Sequence, residues 1–270
     1  MRTVFILSIS SDIGFDLGRR YLALGFKVIG TYRNDAQLND LRKNDHCVLI
    51  KCDVSKPSDI KRMALRFKKD KLCWDVFISC VGHPLPVVSF FESDFLEWAD
   101  SVNTNALAQL HALHALYPFR NRKISDVILF AGGGMNGAVK DFSAYTVSKI
   151  MLAKMCEFLD AENKDLNIFI VGPGWTKTKI HKTILKDKRT SKGKVLETKE
   201  FLKAKAGTSL NDIFESIEWL RAQGKGIVSG RNFSIVYDPW RKEKRANLVK
   251  ALINDANMYK LRRQGNGFLQ

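Results

Sequence analysis

The sequence predicts an α/β protein, a doubly wound parallel sheet in three layers with helices on both faces. Two features point there. Short runs rich in Val, Ile and Phe recur along the 270 residues, each too brief for a helix and apolar throughout, as strands buried on both faces are. Between them lie longer stretches of helical periodicity, and that alternation is the signature of right-handed β–α–β crossovers. The strand runs are Val4–Ser8, Lys27–Thr31, Cys47–Lys51, Trp74–Ser79, Val127–Phe130, Asn167–Val171 and Phe233–Tyr237. The helical stretches are 13–25, 35–43, 57–70, 93–117, 142–163 and 209–223. Pro57 suits the first turn of its helix, with Ser55 as the expected cap, and Ser209 with Asp212 resembles a capping box. The segment 174–208 interrupts the rhythm after the sixth strand. Because ligands of such sheets bind beyond the carboxyl ends of the strands, residues 177–208 are expected to form a substrate lid. Residues 1–240 then make one domain, and 241–270 a C-terminal helical extension.

Composition excludes several classes. With 45% hydrophobic and 27% charged residues the chain is an ordinary globular one, not a disordered one. Its five cysteines form no CxxC pair and match no zinc spacing, so they read as reduced thiols of a cytoplasmic protein. The apolar run Val4–Leu7 is too short for a signal peptide or a membrane span. The net charge of +16 is concentrated. Residues 177–205 hold eleven Lys/Arg against three acids, and residues 241–263 hold eight against two. Such segments suit an anionic substrate, a nucleic acid or an anionic membrane, or they are simply solvated faces. No RNA-binding or helix-turn-helix pattern accompanies them, so neither nucleic acid nor membrane is expected as a partner.

Tyr145 and Lys149 are the strongest candidate pair for acid–base chemistry. Four apart, they share one helix face a turn from each other. A free tyrosine, with a pKa of about 10, transfers protons poorly near neutrality, and an adjacent ammonium would lower that value.

Around this pair the chain resembles the short-chain dehydrogenase/reductase family, from residue 3 to about 238. Six segments in order carry the likeness. Leu7–Gly14 (LSISSDIG) follows strand one where the family has TGxxxGIG. Cys52-Asp53-Val54-Ser55 follows strand three. Ser79-Cys80-Val81-Gly82 stands for the family's NNAG. Val102-Asn103 lies in helix four, Ser143-Ala144-Tyr145 runs on to Lys149, and Pro173–Thr178 (PGWTKT) is similar to PGxxxT. The likeness implies a Rossmann-type fold and hydride transfer between a nicotinamide dinucleotide and a carbonyl or alcohol. It implies Asn103, Tyr145 and Lys149 as the catalytic group. Tyr145 would exchange the proton, Lys149 would hold the ribose and tune Tyr145, and Asn103 would support a water leading to Lys149. Cofactor contacts are implied at Ser10, Ser11, Ile13, Gly14, Arg33, Asp53, Val54, Gly82, Pro173, Gly174 and Thr178, besides Tyr145 and Lys149.

The departures are informative. Ser8 and Asp12 replace two glycines of the phosphate turn, and Asp12 brings negative charge to an anion site unless it turns away to cap the helix. Strand two ends without the acid that holds ribose hydroxyls in NAD users. Arg33 stands there and suits a 2′-phosphate, so NADPH is expected over NADH. No serine occurs in Ala131–Lys140, and Gly132 occupies the place of the family's substrate-polarising serine. Losing such a donor costs about 2.7–4 kcal/mol of transition-state stabilisation where it has been measured. Asn136 or backbone amides of the glycine run would have to substitute; otherwise the chain is a dinucleotide-binding protein with weakened or no catalysis. Gly132, Asn136 and His83 are the expected substrate contacts.

The glycine run followed by Phe142-Ser143-Ala144-Tyr145, together with Tyr237-Asp238-Pro239-Trp240 and Tyr259–Arg263, is similar to a subset of the family associated with bacterial surface-polysaccharide synthesis. That likeness implies an anionic sugar substrate. The resemblance also implies pairing of helices four and five in a homodimer or homotetramer, and the apolar stretch Ala106–Leu116 fits this. Elsewhere His111 and His114 lack a third metal ligand, Cys80 lacks a base partner, and Phe90, Phe91, Phe95 and Trp98 read as core or interface.

Overall fold

In a computed structural model the protein is described over residues 1–34, 38–121, 123–241 and 243–263. The strands are β1 (Thr3–Leu7), β2 (Lys27–Tyr32), β3 (Cys47–Lys51), β4 (Val76–Ser79), β5 (Ser125–Phe130), β6 (Leu166–Gly172) and β7 (Asn232–Ser234). The helices are α1 (Asp12–Ala23), α2 (Asn39–Arg42), α3 (Pro57–Lys69), α4 (Phe95–Val102), α5 (Ala108–Leu116), α6 (Ser143–Glu162), α7 (Lys179–Lys186), α8 (Lys192–Lys203), α9 (Leu210–Gln223), α10 (Lys225–Val228) and α11 (Arg245–Asn254). All strand pairings in the sheet are parallel, in the order β3-β2-β1-β4-β5-β6-β7. This is the doubly wound α/β sheet the alternation predicts, and its order reverses between β1 and β4.

Strand alternation assigns the two cores. From β1, Phe5 and Leu7 join Ile60, Met63 and Phe67 of α3 and Leu152 and Cys156 of α6 on one face. Val4 and Ile6 join Leu17 and Tyr21 of α1, Ile213 and Ile217 of α9, and Leu248 and Leu252 of α11 on the other. The extension after residue 240 is therefore part of the second core layer. It is anchored by Arg231, only 6% exposed, whose guanidinium donates to the carbonyls of Leu252, Asp255 and Met258. Those carbonyls lie at and just past the carboxyl end of α11, where a cation is favoured. At the outer edge of β7, the amide of Asn232 donates to Tyr259 O at 2.8 Å and that of Ser234 to an Asp238 carboxylate oxygen at 2.6 Å.

Several local expectations change. The helix expected over 93–117 is three pieces, because residues 103–107 form a π-turn between α4 and α5. The cause is side-chain competition. Asn105 Nδ2 donates to Ser101 O at 2.9 Å and Gln109 Nε2 to Asn105 O at 2.5 Å, taking carbonyls that an α-helix gives to the i+4 amides. Ser55 does not cap α3; its hydroxyl donates to Asp53, and Lys56 stands at the cap without a side-chain bond. Ser209 does cap α9, accepting from the Asp212 amide at 3.0 Å. Of the stretch 35–43, α2 is the helical part, and 35–37 lie outside the described residues. The segment 177–208 is built mainly of α7 and α8.

Ser8 has φ +64°, the left-handed region that disfavours side chains. Its amide donates to Thr31 Oγ1 at 2.9 Å and the next amide to Thr31 O at 2.8 Å, so β2 holds the turn in place. Replacing Ser8 with Gly is expected to raise stability by about 1 kcal/mol. A urea unfolding midpoint that fails to rise would show the turn to be unstrained.

Candidate active site

The carboxyl ends of the strands open into a cleft of about 2050 Å³. Lys149 lies at its floor with 1% exposure. Such a buried ammonium needs an acceptor, and its Nζ donates to Val81 O at 3.2 Å. Burial pulls its pKa down to about 8. Tyr145 lies one turn earlier on α6, with Lys149 Nζ 5.5 Å from its ring centroid. The ammonium thus faces the ring and bonds a carbonyl instead of the phenol. The expected lowering of the tyrosine is absent: burial pushes Tyr145 up to about 12. The start of α6 is held from two sides. Trp98 of α4 donates to Ser143 Oγ at 2.9 Å, and Thr146 Oγ1 donates to Gly133 O at 3.2 Å.

Gly132 is where serine reasoning meets the geometry. A Cβ on Gly132 would lie 2.3 Å from Tyr145 Cε1 and 3.0 Å from Lys149 Cγ. The phenol ring thus occupies the space a side chain at 132 would need. The glycine lets Tyr145 lie against the backbone, and a serine cannot stand there without moving it.

The phosphate turn after β1 keeps its most constrained glycine. A Cβ on Gly14 would meet Ser8 O at 2.6 Å. Ser11 caps α1, accepting from the Gly14 amide at 3.0 Å, and donates its own amide to Ser8 O at 3.0 Å. Ser11 is therefore not a free backbone donor, contrary to expectation. Among the described residues the amides of Ser10, Asp12 and Ile13 have no partner, and they lie ahead of the first intrahelical bond of α1. Asp12 does not cap the helix; its carboxylate accepts from the Lys179 amide. Arg33 lines the cleft and makes no ion pair among the described residues. Burial first, and the Arg33 cation second, hold His83 below its usual pKa. Asp53, Val54, Gly82, Gly132, Asn136, Pro173, Gly174 and Thr178 also line the cleft. Asp53 Oδ1 is taken by the amide and hydroxyl of Ser55.

Asn103 is not among the cleft-lining residues. Its carbonyl accepts from the Ala108 amide across the π-turn. The amide side chain that reaches the site's framework is Asn105, fully buried. It accepts from the His83 amide at 2.7 Å and donates to His83 O at 2.8 Å. Gln109, also fully buried, accepts from Ser79 Oγ and donates to Val81 O at 3.4 Å, the carbonyl that Lys149 uses. The sequence does carry a sign of them: Ser101, Asn105 and Gln109 recur at intervals of four, so they share one helix face.

Over the cleft, Ile180 of α7 approaches Gly82, and Trp175 stacks on His181 at 5.5 Å with Phe201 of α8 packed on both. Part of the basic charge of residues 177–205 is committed within the chain. Arg189 pairs with Asp187 and Glu97, Lys194 with Glu197, and Lys177 bonds the carbonyls of Leu202 and Ala204. Burial pushes Cys80 up to about 12, so it is no ready nucleophile.

A family model described as enoyl-(acyl carrier protein) reductase matches residues 9–235. The chain belongs to the short-chain dehydrogenase/reductase family of oxidoreductases. Among curated relatives, a Dictyostelium discoideum dehydrogenase/reductase SDR family protein 7-like is 24% identical over 73% of this chain. The match spans 64% of that relative's length. An uncharacterized oxidoreductase of Saccharomyces cerevisiae is 31% identical over 65% of this chain and 75% of its own. A solved yeast short-chain dehydrogenase/reductase superposes with a TM-score of 0.79 at 19% identity, covering 88% of this chain and 97% of that one. Two further solved members of the fold carry nucleotides. They are a 4-hydroxyisoleucine dehydrogenase complexed with NADH (TM-score 0.73, 18% identity, 87% and 96% covered) and a Burkholderia multivorans protein with bound NADP (0.66, 17%, 87% and 96%).

Restoring the family's serine by Gly132→Ser is expected to cost about 1–3 kcal/mol of stability through overpacking against Tyr145, with no gain in turnover. Urea unfolding and a rate assay check this. A stable variant that turns over faster would mean that the ring moves aside freely.

Proposed function

We propose that the protein is an NADPH-dependent carbonyl reductase in which Tyr145 is the proton donor. The observation that carries the reading is the Tyr145 and Lys149 pair on the floor of a cleft whose rim holds the unpartnered turn amides and Arg33. The site fits a dinucleotide. Amides at a helix amino end suit a diphosphate, and a guanidinium just past β2 with no ion pair among the described residues suits a 2′-phosphate. NADPH, when bound, supplies the hydride. A phenol held up to about 12 by burial carries its proton at neutral pH, so Tyr145 holds the proton that a carbonyl oxygen would take, and efficient transfer requires the bound ligands to bring that value down. Lys149, charged below about 8, presents its ammonium to the same space. Asn136 and the exposed Gly133 backbone remain the donors to polarise the substrate oxygen in place of a serine.

The substrate class we favour is an anionic, sugar-derived carbonyl compound. The similarity to the polysaccharide-synthesis subset supports it, as does Lys244 on the cleft wall, since the other basic groups there, Lys179, Arg189, Lys194 and Arg241, already face acids of this chain. Neither nucleic acid nor membrane enters this reading. No helix among the described residues is long and apolar enough to cross a membrane, and the unpaired cysteines support a cytoplasmic setting. We also propose self-association, through the α4 end of the helix expected to pair and not through the apolar stretch Ala106–Leu116. Ala106, Ala108, Ala112, Leu113 and Leu116 are buried within the single chain, whereas Phe91 (96% exposed), Phe95 and Leu96 lie open at and before α4. A second reading, dinucleotide binding without turnover, is favoured by Gly132 alone.

Tyr145→Phe is expected to abolish NADPH oxidation with carbonyl sugars while far-UV circular dichroism and NADPH affinity stay unchanged. Surviving turnover would remove Tyr145 from the chemistry, and a wild type that binds NADPH but reduces no carbonyl would favour the second reading. The pH dependence has a definite sign. Because the Lys149 ammonium is lost as pH rises through about 8, kcat/KM should fall on that alkaline limb. A profile flat to pH 10 would mean that its charge is not required.

A further inference from the structure

We propose that Lys179 is a diphosphate ligand carried on the lid and parked on the phosphate turn in the free protein. The inference rests on the dinucleotide reading and extends it to a residue outside the turn. Lys179 is the first residue of α7, yet it is fastened to the start of α1 at two levels. Its backbone amide donates to Asp12 Oδ2 at 2.5 Å, and its Nζ donates to Ser10 O at 3.0 Å and lies 3.5 Å from Asp12 Oδ1. Both side chains line the cleft, and both reach solvent, at 46% and 24% exposure.

The two levels do different work. The backbone bond keeps the Lys179 Cα beside the turn whatever its side chain does. The ammonium is held only by a carbonyl and a looser carboxylate contact, which a doubly charged diphosphate at the same helix end can displace. This gives Asp12 a role. A carboxylate in the first turn of α1 would by itself repel a diphosphate. Here it recruits a cation to the turn, and its charge is offset before the ligand arrives. A lysine delivered from the lid thus strengthens a turn in which Ser8 and Asp12 stand in for glycines. It also couples lid position to cofactor occupancy, since Ile180, the next residue, packs toward Gly82.

The test is equilibrium titration of the full-length protein with NADPH, followed by fluorescence, with adenosine 2′-phosphate as a competing probe that lacks the diphosphate. Lys179→Met is expected to raise the NADPH Kd about tenfold and to flatten its salt dependence. Affinity for adenosine 2′-phosphate should stay unchanged, and Lys179→Arg should retain NADPH affinity. Arg33→Met, by contrast, should weaken both ligands. Lys179→Met binding NADPH as the wild type does would overturn the role of Lys179 alone. So would equal loss of both ligands, which marks a displaced lid. A wild type that binds neither NADPH nor NADH would overturn the dinucleotide reading, and this inference with it.

Discussion

An ammonium placed at 1% exposure must find an acceptor or lose its charge, and the floor of this cleft is arranged around that requirement. Lys149 uses Val81 O. That carbonyl sits in a loop whose His83 amide and carbonyl are held by Asn105, and it is shared with Gln109, which is itself held by Ser79. Each of these partners lies in the interior, so none can be exchanged for water. Bonding the loop requires Asn105 and Gln109 to donate also to helix carbonyls, and this opens α4–α5 into a π-turn. The distortion of the longest predicted helix and the position of Lys149 are thus parts of one hydrogen-bond network.

The same reasoning shows what can be read from sequence. The central strands were legible because they are runs of Val, Ile and Phe buried on both sides; β3 is only half-buried, and β7 is Asn232–Ser234 where Phe233–Tyr237 was expected, because the chain turns at Ile235. The placement of Tyr145, Lys149, Gly14 and Arg33 around one cleft was legible because motif positions are tied to fixed spacings from strand ends. Asn105 and Gln109 were missed, and Asn103 was chosen instead, because a motif marks a position along the chain and cannot say which of two neighbouring amides turns inward. Ser11 was given a cofactor contact, and the cap it forms on α1 is a local bond that the motif does not encode.

Two charge expectations also changed on folding. Lys149 was expected to lower Tyr145, an inference from helical spacing. Spacing fixes which residues are near, but not whether desolvation outweighs their attraction, and here it does. Asp12 was read as an unfavourable charge at an anion site. Its partner lies 167 residues later, beyond any local pattern. In the lid, Arg189, Lys194 and Lys177 turn out to hold α7, α8 and the loops between them, so part of the basic excess is architectural.

The edge of β7 has a consequence for assembly. Its two outward amides, at Asn232 and Ser234, are already taken by Tyr259 O and the Asp238 carboxylate. A strand from another molecule would find no donor there, so the C-terminal segment acts as a stopper on the open side of the sheet. Copies of this chain can meet side to side through helices, but continuing the sheet from one molecule to the next at this edge would first require the tail to come away.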